Sequence, residues 1–310
     1  MITTPLEGVR EPVLLPFARL QSIVNTLTDD EIEIRPDGSS CTIASGGGTW
    51  RLPVEDALEF PVGGAASGDP IGRLPCDQFR ALVGTVRFAT DNETSRFALG
   101  GVLIDFKDGE FTCVASDGRR MCIASTELDQ DLDDRETLVP RRVIDVLYKL
   151  ANREEEAIQL ETTGKKLIAR IAGTVVEATL LEGRFPRWRD VEPERPNIRP
   201  SLAVVGSLLH ACEMAAICES EASRGTTWAF TKEGLFVQAR SSEYGESSAT
   251  CDLVEVGTPC TVKIEPRFAV EWLRTIDPAE TVEIEAENAE SAVVFRAGER
   301  RNVVMPLAKD

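Results

Sequence analysis

LPCDQFRALV (74–83), followed by RFALGGVLIDFKDGEFTCVASDGRRMCIAS (96–125), sets the architecture of the whole chain. The first run is a residue, a proline and then apolar residues at helical intervals. Proline suits the first turn of a helix because its missing N–H would be unpaired there anyway. The second run alternates with period two and is broken at Lys107-Asp108-Gly109, a hairpin signal, which predicts strands over 96–106, 110–115 and 120–125. The unit is therefore one helix followed by about three strands.

The same unit recurs outward in both directions. LPFARLQSIV at 15, VPRRVIDVLYKL at 139, RPSLAVVGSLL at 199 and EPRFAVEWLRTI at 265 repeat the proline-then-helix pattern, with prolines 16, 75, 140, 200 and 266 spaced by 59, 65, 60 and 66 residues. Near-regular self-similarity is the mark of one supersecondary unit used repeatedly. Phe17, Leu20, Val24 and Leu27 share one face of the first helix, and Val143, Val146, Leu147 and Leu150 one face of the third. Further turns at Pro36-Asp37-Gly38, Thr163-Gly164, Glu233-Gly234 and Ala297-Gly298 separate period-two stretches over 31–35, 158–162, 166–171, 174–181, 234–240, 246–253, 281–286, 291–296 and 302–307. Strands outnumber helices in an α+β arrangement. Linker-like stretches at 61–70 and 183–200 place boundaries near 63 and 194. The expected domains are 1–62 with one unit, 63–193 with two and 194–310 with two.

The chain has 34 basic and 52 acidic residues, a formal charge of −18, the wrong sign for indiscriminate coating of nucleic acid. Helix windows 17–27, 76–87, 141–153, 201–213 and 266–275 nevertheless hold nine basic residues against four acidic, a local +5. A shared helical surface of that charge suits a phosphate backbone read without regard to sequence; solvated helix faces rich in Lys and Arg are the competing reading. One histidine, His210, removes most histidine acid–base chemistry and the common histidine metal sites. Eight cysteines without a CxxC pair read as buried thiols of a reducing cytoplasm. The opening MITTPLEGVREP lacks the apolar core of a signal peptide, and 201–218 is too interrupted to span a membrane. SGGG (45–48) lacks the Lys-Ser/Thr of a phosphate loop. DQDLDD (129–134) lacks the glycine and glutamate of a calcium loop. No catalytic constellation, metal site or cofactor site is expected.

Three motifs carry a resemblance. Segment 96–125, LEGRFPRWRDVEP (181–193) and NVVMPL (302–307) resemble, in order and nearly in spacing, the middle domain, the following link and the terminal strand of the bacterial DNA polymerase III beta subunit, the sliding-clamp family. The resemblance implies the DNA-clamp fold, with about five helix-plus-three-strand units where the family has six. LLPFARL (14–20) is similar to the second helix of the family's first domain, so the first half of that domain is not matched, apart from a possible last strand over 2–8.

Residue by residue, the resemblance implies a pocket for short hydrophobic peptide tails of polymerases, clamp loaders and repair proteins at Leu99, Ser116, Gly118, Arg119, Arg120, Met121, Pro186, Val191, Val303, Val304, Met305, Pro306 and Leu307. Asp190 stands where the family tends to be basic and Arg119 where histidine is frequent, changes that bear on partner choice. Read alone, an apolar terminal strand is more often core than site. It further implies duplex-DNA contacts at Arg96, Phe97, Arg141, Arg142 and Lys149, to which the basic count of the helix windows adds Arg19 and Arg80. A head-to-tail homodimer is implied through Trp50 and Leu52 on one subunit and Ile217 and Cys218 on the other; ordinary core is the alternative for Trp50. The expected protein is a cytoplasmic, non-enzymatic processivity factor that encircles DNA. A clamp-derived adaptor or decoy that binds the same peptides without closing is the alternative.

Overall fold

The computed structural model describes residues 13–27, 31–60, 67–91, 99–152, 156–191, 193, 195, 197–220 and 225–307. The chain divides into two compact units at Ala66/Ser67.

In the first unit, helix α1 (Phe17–Thr26) precedes an antiparallel meander of β1 (Glu33–Asp37), β2 (Ser40–Ser45) and β3 (Gly48–Pro53). Its small core is Ile23, Cys41 and Ile43, with Leu20, Trp50 and Leu52 packed against them.

The second unit holds four copies of a strand–helix–three-strand element. They run β4 (Asp69–Pro75), α2 (Cys76–Val86), β5 (Gly101–Lys107), β6 (Glu110–Ser116), β7 (Arg120–Glu127); then β8 (Arg135–Pro140), α3 (Arg141–Leu150), β9 (Ala157–Thr162), β10 (Lys166–Ile171), β11 (Thr174–Thr179). The third copy is β12 (Ser201–Val204), α4 (Val205–Ala215), β13 (Thr226–Thr231), β14 (Gly234–Ser241), β15 (Gly245–Cys251), with a short β16 (Leu253–Glu255). The fourth is β17 (Cys260–Ile264), α5 (Pro266–Leu273), β18 (Thr281–Glu285), β19 (Val293–Ala297), β20 (Arg300–Val304).

The strand before each helix was not expected. Each pairs outside its own copy: β4 with β9, β8 with β5, β12 with β18 and β17 with β13. Two four-stranded sheets result, together with one nine-stranded sheet in the order β16-β12-β18-β19-β20-β7-β6-β5-β8. Its middle seam, β20 against β7, sets Val303 opposite Met121 and Val304 opposite Arg120.

Prolines 16, 75 and 140 sit at the N-cap of α1, α2 and α3, and Pro266 opens α5. Because a residue before proline is driven out of the helical region, Leu74 and Val139 stay extended and the strand-to-helix switch is sharp. Pro200 departs from the pattern: it precedes β12, and α4 starts only at Val205. Helices are also shorter than the windows read from sequence. Within them Arg19, Arg80, Arg141, Arg142, Lys149 and Arg267 stand against Asp77, Asp145, Glu213 and Glu271, so the net is +2, not +5. Arg87 and Arg274 follow immediately after α2 and α5. The terminal strand ends at Val304 rather than 307, and the expected strand over 246–253 is divided between β15 and β16.

Alternation splits the nine-stranded sheet into two faces. Val102, Ile104, Phe111, Cys113, Cys122, Phe295 and Val304 join Phe79, Ile144, Leu208 and Trp272 of the four helices in the main core. Burial of each large side chain there contributes about 1.5–3 kcal/mol. Leu103, Val114, Met121, Ile123, Val294 and Val303 face the other way, where Phe185 and Trp188 of the segment after β11 cover them.

Candidate functional site

The face covered by that segment gathers part of the expected peptide pocket. Met121 and Val303 lie side by side with Leu99, Phe185 and Trp188 in one apolar cluster. Its rim is a fixed turn. Ser116 Oγ donates to Arg120 O (2.7 Å) and accepts the Gly118 N–H (3.1 Å), while Asp117 Oδ1 accepts the N–H groups of Arg119 and Arg120, both at 3.0 Å. Arg119 O in turn accepts the Met305 N–H at 2.8 Å, which holds Met305 beside the turn with its side chain 47% exposed. Pro186 is half-buried. Val191 and Met305 line one cleft of about 430 Å³, together with Pro193, Arg195, Ile198, Glu287 and Ala292.

Two expected pocket residues lie on the opposite face. Val304 is fully buried in the helix-side core. The Arg120 side chain, 4% exposed, pairs with Glu271 (2.6 Å) and Asp117 (3.1 Å), donates to Phe88 O (3.1 Å) and stacks on Phe88 and Phe268. Adjacent residues of a strand cannot share a face, so Met121 and Val303 exclude Arg120 and Val304. Leu307 leaves the cluster as well: its N–H donates to Lys263 O (2.8 Å), and its side chain occupies the space where Gly225 would carry a Cβ. Pro306, between them, is half-buried.

Sequence reasoning passed over the residues that anchor the covering segment. Asp105, 2% exposed on β5, accepts the Trp188 indole N–H (3.1 Å) and pairs with Arg189 (2.7 Å), which stacks on Trp188 at 4.2 Å. The signal was present: Trp188 and Arg189 lie within the 181–193 motif, and a lone carboxylate in an otherwise apolar strand needs a donor.

The helices offer cations of two kinds. Arg142 and Lys149, seven residues apart on α3, are exposed and make no ion pair with described residues. Arg141 is engaged, its guanidinium 3.3 Å from Thr90 Oγ1 and 3.8 Å from Asp145, which also takes Arg87 at 2.6 Å. Arg80 and Arg87 each stack 4.3 Å from the centre of the Tyr148 ring, and Arg80 donates to Tyr148 O (3.2 Å). These residues and Arg274, paired with Glu213 (2.7 Å), border a cleft of about 630 Å³. Arg19 is exposed on α1 of the first unit; Arg96 and Phe97 lie outside the described residues.

A protein-family model described as the DNA polymerase III beta subunit, central domain, matches residues 73–187. The beta sliding clamp of Proteus mirabilis is 26% identical over 281 residues, covering 89% of this chain and 76% of that protein. The Escherichia coli K12 beta sliding clamp is 23% identical over 287 residues, with the same shares. Among solved structures, the DNA polymerase III subunit beta of Pseudomonas aeruginosa superimposes with a TM-score of 0.90 at 22% identity, covering 98% of this chain and 84% of that one. Residues 73–187 thus match the central domain of the DNA polymerase III beta subunit, and over 89% of its length the chain is similar to beta sliding clamps.

The Bacillus subtilis sliding clamp, at 18% identity, still gives a TM-score of 0.89 over 96% of this chain and 80% of that one, so the clamp fold persists where little sequence does. Of the two expected contact edges, one lies on an edge strand and the other on a turn bonded to an edge strand. Trp50 and Leu52 lie half-buried on β3, the last strand of its sheet. Ile217, 75% exposed, and half-buried Cys218 form a 3₁₀ turn after α4, and the Cys218 N–H donates to Ser247 Oγ on edge strand β15 (3.2 Å). The chain's eight cysteines are free thiols. Burial pushes those of Cys113, Cys122 and Cys212 well above the ordinary range and that of Cys251 up to about 11, so none of these four is primed as a nucleophile.

Proposed function

We propose that this clamp encircles duplex DNA as a head-to-tail homodimer and tethers the replicative polymerase, and in turn clamp loaders and repair proteins, through a pocket for short hydrophobic peptides. The observation that carries the reading is the apolar wall of Leu99, Met121 and Val303, with a half-exposed Met305 two residues on from Val303, held to the turn by the bond from its N–H to Arg119 O and lining the adjoining cleft with Val191. A flexible thioether beside an apolar wall is what a leucine or phenylalanine anchor can displace and pack against. The working pocket is Leu99, Ser116, Gly118, Arg119, Met121, Pro186, Val191, Val303, Met305 and Pro306. Solved relatives support a ligand site on this fold: one Pseudomonas aeruginosa clamp is bound to griselimycin.

Arg142 and Lys149 serve as the freest phosphate contacts, joined by Arg80 and Arg141 of the same unit and by Arg19 of the first unit. Subunits join where Trp50 and Leu52 of one meet Ile217 and Cys218 of the other; two open sheet edges, β3 and β15, are then covered. The domains are 1–62, 63–193 and 194–310, and the protein works in the cytoplasm, where its thiols stay reduced. No helix among the described residues is long and apolar enough to cross a membrane.

Two measurements test this. Met305→Asp abolishes binding of leucine-anchored peptides in a folded protein, because a charge placed in a dry slot is costly; undiminished affinity removes the pocket. The wild type, once loaded, stays on circular DNA and slides off linearised DNA. Equal loss from both, with peptide binding intact, points to the non-closing adaptor instead.

A further inference from the structure

The 430 Å³ cleft beside Met305 contains a charge the apolar pocket does not account for. Val191, Ile198, Ala292 and Met305 give it apolar walls. Arg195 stands among them with its side chain only 5% exposed. One end of the guanidinium is held: Nη2 donates to Ala292 O at 2.7 Å. Nε lies 3.6 Å from Glu287 Oε2, too far for a hydrogen bond, and both Nε and Nη1 are buried without a hydrogen-bond partner. Glu287 is itself 44% exposed, so water screens the one carboxylate in reach among the described residues.

Leaving donors of a buried cation unpaired is costly, and native proteins rarely do so without a use for the group. Arginine presents its N–H groups as a planar fork that matches a carboxylate. We propose that Arg195 is a carboxylate-recognition residue, so that this cleft takes a peptide carrying an acidic group next to its aliphatic anchor. The proposal rests on the peptide-pocket reading and narrows it to one class of ligand. Either an Asp or Glu side chain or a C-terminal carboxylate supplies the chemistry. The ligand must enter deeply enough to displace the atoms that screen Nη1.

The test uses the full chain and N-acetylated Leu-Leu peptides extended by zero, one or two glycines and ending in Asp-amide, Asn-amide or Asn with a free carboxylate. Affinities are read by calorimetry or by NMR shift titration. At the best spacing, a carboxylate peptide binds the wild type at least tenfold more tightly than its Asn-amide counterpart. Which of the two carboxylate peptides gains identifies the source. In Arg195→Met the preference falls to within twofold while the Asn-amide peptide keeps its affinity; Arg195→Lys retains part of it. Thermal melting verifies that each variant is folded, and if Arg195→Met is not, the wild-type ratio and Arg195→Lys still decide. Binding of all peptides within twofold of one another in the wild type overturns the carboxylate assignment and leaves the pocket standing. Binding of none overturns both. A preference that survives in folded Arg195→Met overturns the role of Arg195.

Discussion

Arg120 shows how a single side chain can be mistaken for part of a binding surface. Resemblance places it in the peptide pocket; the pairing register turns it to the helix side, where it joins β7 to Glu271 of α5 and to the carbonyl of Phe88. Its partners keep 17% and 33% exposure, so removing it leaves two carboxylates partly hydrated and one carbonyl unpaired. Arg120→Met is expected to destabilise the fold by about 3 kcal/mol in chemical denaturation, near the low end for breaking a buried pair. Arg142→Ala, at an exposed cation without an ion-pair partner among the described residues, stays within about 0.5 kcal/mol. The cysteines make a second prediction. Cys218 and Cys260 are the two half-buried thiols, and burial raises Cys260. Iodoacetamide at pH 8 modifies Cys218, next to the exposed Ile217, before the buried thiols, and the proposed subunit contact predicts that this labelling slows as protein concentration rises. The six buried thiols react only after unfolding. Equal labelling of Cys113 in the native state contradicts the packing described for the core.

At the level of elements, hairpins were the most legible feature. Asp108 and Gly109 adopt φ of 51° and 81°, the left-handed pair that a two-residue hairpin needs, and the Asp-Gly signal sits in the sequence itself. Gly109→Val should cost about 2 kcal/mol, since a β-branched residue is strained at that φ; unchanged thermal stability would argue against the turn. The strands before the helices were illegible for a physical reason. β4 runs Asp-Pro-Ile-Gly-Arg-Leu-Pro, with no clean alternation, and its partner is β9, where Leu74 meets Ile158 far along the chain. Nothing local announces that pairing. The same limit explains the pocket. Met121 and Val303 were found through the resemblance, but the side of the sheet each residue faces follows from register, which local periodicity near the turn at 117–119 does not fix. Arg195, in a proline-rich stretch between elements, offered no periodic signal at all.

For the whole molecule, a charge of −18 means that any hold on DNA is local and opposed by the rest of the surface. Reversing both exposed cations of α3, Arg142→Glu with Lys149→Glu, should weaken retention on every DNA sequence alike. It should also reduce the slope of log affinity against log salt by about 2 per subunit, at roughly 0.9 for each phosphate no longer neutralised. A double variant with the wild-type slope would move the DNA-binding role elsewhere, to the stacked arginines around Tyr148 first. The seam of the nine-stranded sheet has a mechanical consequence. Between β20 and β7 five residue pairs run from Arg300 opposite Ala124 to Val304 opposite Arg120, with the Ser125 N–H bonded to Glu299 O beyond one end and the Arg120 clasp at the other. Pulled along the strands, such a ladder is loaded in shear: its rungs share the force and must fail together, whereas an edge contact can be peeled one bond at a time. The seam is a welded joint, and a load on the sheet is relieved first where strands meet by fewer rungs, as at β12 with β16.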